Sequence, residues 1–96
     1  MQSKKKVMLN AGETRCIRIS IHSIKDQNFV IEEASFSLLR LKDKVEESNG
    51  NCKIYEHEIE AIVSPKQRGT YTLDIKYVIL DEVLIEPIEP IELKVV

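Results

Sequence analysis

Cys16, His22, Cys52 and His57 are the residues of this 96-residue chain that could hold a soft metal ion or pair a thiol with an imidazole. A zinc site needs all its ligands within about 2.3 Å of one point. Cys16 and His22 share one face of an alternating segment, but their six-residue separation is roughly 20 Å of extended chain. Cys52 and His57 differ in parity, so an extended strand turns them to opposite faces. Neither spacing is that of a metal site or of a thiol–imidazole pair. Cys16 lies close to Arg15 and Arg18, which could lower a thiol pKa, but it reads equally as a small strand residue. The expectation is no metal and no cofactor.

Carboxylates occur in adjacent pairs: Glu32-Glu33, Glu46-Glu47 and Asp81-Glu82. Neighbours on a strand point to opposite faces, so none of these pairs shares a substrate by spacing alone. There is no Asp-x-Asp calcium loop and no Gly-x-Ser-x-Gly elbow. The glycines, Gly12, Gly50 and Gly69, sit in separate segments and cannot cradle a phosphate together. No catalytic residue emerges, and the chain is expected not to be an enzyme.

The elements that would position any site are strands. Ile17, Ile19 and Ile21 alternate with Cys16, Arg18, Ser20 and His22, the period of a half-buried strand. Tyr71, Leu73, Ile75, Tyr77 and Ile79 alternate inward against Thr72, Asp74 and Lys76. Ala34, Phe36 and Leu38 form another alternation. Cys52–Val63 reads as one strand, with Glu56, Glu58 and Glu60 on a solvated face. Val7–Leu9, Val83–Ile85 and Ile91–Val95 add short strands. Residues 42–51 read as a charged connection closing on Asn49-Gly50, a hairpin turn signal. Turns are expected at Lys25–Asn28, Ser64–Gly69 and Asp81-Glu82. About seven strands at this rhythm, with no intervening helical pattern, predict an all-β antiparallel sandwich.

Composition narrows the function classes. One domain of this length has one core, expected over residues 7–96, after a disordered basic N-terminus at 1–6. The 14 basic and 16 acidic residues give a net charge of −2, not the basic surface that drives nucleic-acid binding. Lys4-Lys5-Lys6 is the one basic cluster and lacks aromatic companions. No apolar run approaches the length of a membrane span, and no apolar segment follows the lysines as in a secretory signal. Cytoplasmic synthesis is therefore expected, with both cysteines reduced and neither nucleic acid, membrane nor small-molecule substrate as partner.

Gly69-Thr70-Tyr71-Thr72-Leu73 resembles the Gly-x-Tyr-x-Cys segment that opens the sixth strand of immunoglobulin-like domains, with Leu73 in the cysteine position. The tryptophan of the third strand is missing, and Phe36 stands as its core equivalent. More specifically, Ile17–Ile21, Lys25-Asp26, Ala34-Ser35-Phe36-Ser37-Leu38, Gly69-Thr70-Tyr71 and Pro90-Ile91-Glu92-Leu93 are similar to immunoglobulin-like modules of phage virion proteins, such as the N-terminal region of baseplate upper proteins. The Asp-Leu-Thr-Gly of that family is replaced by Val30-Ile31-Glu32-Glu33. The resemblance implies an immunoglobulin-like sandwich, a buried Tyr71 whose hydroxyl bonds upstream backbone, and incorporation into a phage or prophage particle.

The expected function is a non-catalytic structural or assembly module that binds another protein or a second copy of itself. The alternatives are a carbohydrate- or cell-surface-binding module, disfavoured by 5% aromatic residues and no Trp, and an accessory domain of an enzyme. The Ile-Glu-Pro repeat at 85–92 cannot form a central strand, because proline lacks the ladder donor. At period three, Ile85, Ile88 and Ile91 line one ridge. That ridge either docks a partner, which makes residues 83–92 an interface, or closes the end of the sandwich.

Overall fold

The computed structural model describes residues 5–80 and 83–96. They form eight strands and no helix: β1 (Lys6–Leu9), β2 (Arg15–Ser20), β3 (Ile31–Arg40), β4 (Val45–Asn51), β5 (Lys53–Tyr55), β6 (Glu58–Val63), β7 (Gly69–Ile79) and β8 (Ile91–Val95). One sheet has the order β1-β8-β7-β3-β4 and the other β2-β6-β5. The strands with the clearest alternation, β7 and β3, pair at the centre of the larger sheet.

The inward residues of both sheets build one core. Ile17 and Ile19 of β2 and Ile59, Ala61 and Val63 of β6 meet Ala34, Phe36 and Leu38 of β3, Tyr71 and Leu73 of β7, and Leu93 of β8. Each fully buried large aliphatic side chain contributes about 1.5–3 kcal/mol. A two-sheet sandwich is thus the architecture, but not wholly an antiparallel one. β1 runs parallel to β8, with Lys6 beside Glu92 and Leu9 beside Val95. The basic N-terminus is ordered earlier than expected: Lys6 opens β1, and the Glu92 N–H donates to the Lys5 carbonyl at 3.0 Å. Met1–Lys4 and the expected Asp81-Glu82 turn lie outside the described residues.

Three local expectations are corrected. The reversal after β3 is not at Asn49-Gly50 but at residues 41–44, where Lys44 adopts φ 55° and the Arg40 guanidinium grips Asp43 through Nε–Oδ1 (2.9 Å) and Nη2–Oδ2 (2.8 Å). Asn49 and Gly50 lie within β4, opposite Ser37 and Phe36. Gly50 serves a close approach there, since a Cβ at this position would lie 3.1 Å from Cε1 of the Phe36 ring. Residues 52–63 are not one strand: Glu56-His57 turn the chain between β5 and β6, which pair through Tyr55 and Glu58. Cys52, buried, marks the passage from one sheet to the other, with its N–H donating to the Ala34 carbonyl at 2.9 Å. Val83–Ile85 contributes only a single bridge, Ser23 to Ile85, because the prolines that follow cannot extend a ladder.

Candidate functional site

The most connected polar cluster is built around Tyr71. Its ring is fully buried, and its hydroxyl donates to Oε1 of Glu47 at 2.8 Å. The Tyr71 hydroxyl oxygen in turn accepts from the Gln67 N–H at 3.3 Å, so a bond from upstream backbone to this hydroxyl is present. Glu47 also accepts from Nη1 of Arg40 at 3.4 Å and from the Lys66 N–H at 3.3 Å. A β-bulge puts the carboxylate there. Leu38 faces Ser48 and Leu39 faces Glu46, which leaves Glu47 as the extra residue, turned inward.

The charges are mutually supporting. The Arg40 guanidinium holds the Asp43 carboxyl below its ordinary range, and Asp43 holds Arg40 above its own. Burial, and then the bond to Glu47, push the Tyr71 hydroxyl up. Every polar group of this cluster is occupied by another, so it fastens the β3–β4 turn and the β6–β7 loop to the core. Tyr71 was legible in the sequence as an anchor. Glu47 was not, because a bulge shifts parity and leaves no mark in the pattern of residue types.

The candidate ligands separate into different places. Cys16 is exposed on β2 and Cys52 is buried; both are free thiols. Burial raises the Cys52 thiol pKa. His22 and His57 are brought together, lining an open cleft of about 360 Å³ with Ser23, Asp26 and Glu58. His57 is already engaged: it stacks on Phe29 with centroids 4.1 Å apart, and Nε2 donates to the Phe29 carbonyl at 3.1 Å. Among the described residues no group of three or more His, Cys, Asp or Glu side chains is arranged to hold a metal ion.

Two outer faces are polar. A shallow groove of about 470 Å³ crosses β7, β3 and β4, lined by Ser35, Ser37, Asn49, Asn51, Asp74 and Lys76. Ser37 donates to Glu46, which together with Asn49 keeps that carboxyl below its ordinary range. On the smaller sheet the Arg18 guanidinium covers the exposed Tyr55 ring, 4.6 Å from its centroid. Arg18 also pairs with Glu60 at 3.3 Å and Glu58 at 3.7 Å. The ring face that a sugar would stack on is thereby taken.

One end of the sandwich carries the most exposed apolar pairs. Ile24 and Leu84 are 55% and 62% exposed, and they are neighbours, the Ile24 N–H donating to the Leu84 carbonyl at 2.9 Å. Val30 and Leu80 are joined in the same way at 3.0 Å and are 54% and 63% exposed. The same segments carry four exposed acids, Asp26, Glu32, Glu33 and Glu86, against one exposed lysine, Lys25.

The isoleucines of the Ile-Glu-Pro repeat do not stand free, which is the arrangement of the reading in which they close the end of the sandwich. Ile91 is buried in β8, and Ile85 and Ile88 are half-buried against the core. The end loops turn the three inward, and the exposed apolar residues of this region are their neighbours Leu80 and Leu84. The missed signal was the second loop: Ile24 and Val30 flank a polar stretch, and only the fold shows that they stand beside Leu84 and Leu80. No family model, curated protein or solved structure matches the chain.

Proposed function

We propose that the chain is an immunoglobulin-like module without catalytic function that works by protein–protein contact, through the end formed by residues 22–33, Leu80 and 83–86. The observation that carries this reading is the juxtaposition of Ile24 with Leu84 and Val30 with Leu80, four exposed apolar side chains on segments whose exposed charges are mostly acidic. Apolar groups gathered in this way are what a contact surface needs and a solvated loop end does not. The immunoglobulin-like assignment draws support from strand order. The order β1-β8-β7-β3-β4 beside β2-β6-β5 has the form of a GFC sheet with an added C′ strand facing a BED sheet. The upstream bond to the Tyr71 hydroxyl is the corner of that family. The resemblance to phage virion modules suggests a particle as the setting.

The test is a photo-crosslinking residue placed at Leu84, with one at Lys53, exposed on β5, as the control. Crosslinking is done in the cells that make the protein. The reading expects a discrete protein adduct from position 84 and none from position 53. Adducts from neither position, or equally from both, would overturn it.

A further inference from the structure

The partner's chemistry can be read from the opposite end of the same molecule. There the 41–44 turn and the 64–68 loop lie together, joined through the Leu41 N–H to the Thr70 carbonyl at 3.0 Å and the Lys66 N–H to Glu47. This end presents Lys42, Lys44, Lys66 and Arg68, all exposed. None of the four has an ion-pair partner among the described residues. The acids nearby, Asp43 and Glu47, are held by Arg40, and Glu13 by Arg15. Leu41 and Val45, 42% and 45% exposed, flank Lys42 and Lys44 along the chain.

The molecule thus carries exposed apolar side chains on mostly acidic segments at one end and on basic segments at the other. We infer that the acidic end docks the basic end of a second copy of this chain, making a head-to-tail contact. This rests on the reading of residues 22–33, Leu80 and 83–86 as a contact surface. Complementary potentials steer and register such a contact, and the apolar side chains are what it removes from water. Because the two surfaces differ, the contact is heterologous, and each docked pair leaves one free end of each kind. Growth continues into a chain of molecules or closes as a ring.

The size of the ends limits the affinity. The molecule measures 40 × 29 × 20 Å. An end-on contact therefore covers at most about 600 Å² per copy, at the lower limit of specific interfaces. The association is weak as an isolated pair and sensitive to salt, since charges on exposed rims are screened at high ionic strength.

Sedimentation velocity over a concentration series of the full chain tests this, at about 0.05 M and about 0.5 M salt. The expected result is a sedimentation coefficient that rises with concentration at low salt and much less at high salt. Two variants sharpen it: Glu33→Lys/Glu86→Lys at one end and Lys42→Glu/Arg68→Glu at the other. Each alone is expected to stay monomeric, because its two ends then carry like charge, while an equimolar mixture associates, because the intact ends of the two variants are opposite in charge and so are the reversed ones. All four positions are exposed, and circular dichroism checks that the variants are folded. A wild-type chain that stays monomeric throughout overturns the inference, as does a mixture that stays monomeric or a single variant that dimerises by itself. A monomeric chain that still crosslinks to another protein from position 84 overturns self-docking but leaves the contact surface standing.

Discussion

The Tyr71 hydroxyl donates to Glu47 across the larger sheet's β3–β4 bulge, and Glu47 lies there only because the bulge turns it inward. Removing the ring by Tyr71→Ala empties the core and is expected to cost about 3–5 kcal/mol. Tyr71→Phe keeps the ring but leaves Glu47 and the Gln67 N–H short of a partner, at about 1–3 kcal/mol. Urea unfolding followed by circular dichroism measures both. An unchanged midpoint for Tyr71→Phe would mean that the hydroxyl holds nothing.

Gly50 is expected to resist a side chain because of packing and not because of a turn. A Cβ there meets the Phe36 ring at 3.1 Å. Gly50→Ala gains about 0.5–1 kcal/mol from the unfolded chain's lost freedom, but overpacking a core ring costs about 1–3 kcal/mol. The substitution should therefore destabilise. In a Phe36→Leu background, with the ring edge gone, Gly50→Ala should turn neutral or stabilising. Destabilisation of equal size in both backgrounds would refute the contact.

Stability should fall at both extremes of pH, for different reasons. Asp43, Glu13 and Glu46 have carboxyl pKa values below their ordinary ones, through Arg40, through Asn10 and Arg15, and through Ser37 and Asn49 respectively. A lowered folded pKa contributes stability above the unfolded value, about 4, that is lost as pH falls through the folded one. Asp43→Asn should flatten that acid limb. Tyr71 is raised, so its contribution is present below about pH 10 and is lost as pH rises through the folded pKa. Thermal melts across pH check both limbs. An acid limb as steep in Asp43→Asn as in the wild type would contradict the first.

The two thiols should differ in reactivity. Cys16 is exposed, whereas Cys52 is buried with a raised pKa. An aromatic disulfide reagent should modify one thiol per native chain quickly, and Cys16→Ser should abolish that phase. Fast modification of both would place Cys52 at the surface.

The strands that alternate cleanly, β2, β3, β7 and β8, were legible because each faces the core on one side only. The connections were less so, for identifiable reasons. Asn49-Gly50 carries turn chemistry but is read by the fold as a strand with a gap for Phe36. Glu56-His57 lacks the usual turn residues, and the Phe29 stack and carbonyl hold His57 in place instead. The period-three isoleucines were found, but periodicity states only that side chains share a side, and here that side faces inward. The surface that did emerge joins residues 50 to 60 positions apart, Val30 to Leu80 and Ile24 to Leu84, bonded through their backbones, a proximity that only the folded chain creates.

The central claim is that contact runs through the ends of the sandwich and not through its sheet faces. Amide chemical-shift mapping over a concentration series of the uniformly labelled chain tests it most directly. The expected shifts gather at Ile24, Val30, Glu33, Leu84 and Glu86 at one end and at Leu41, Lys42, Val45 and Arg68 at the other, and they fade with added salt. Shifts confined to the outer faces, at Ser35, Ser37 and Lys76 or at Arg18 and Tyr55, or no shifts at any concentration, would contradict the account.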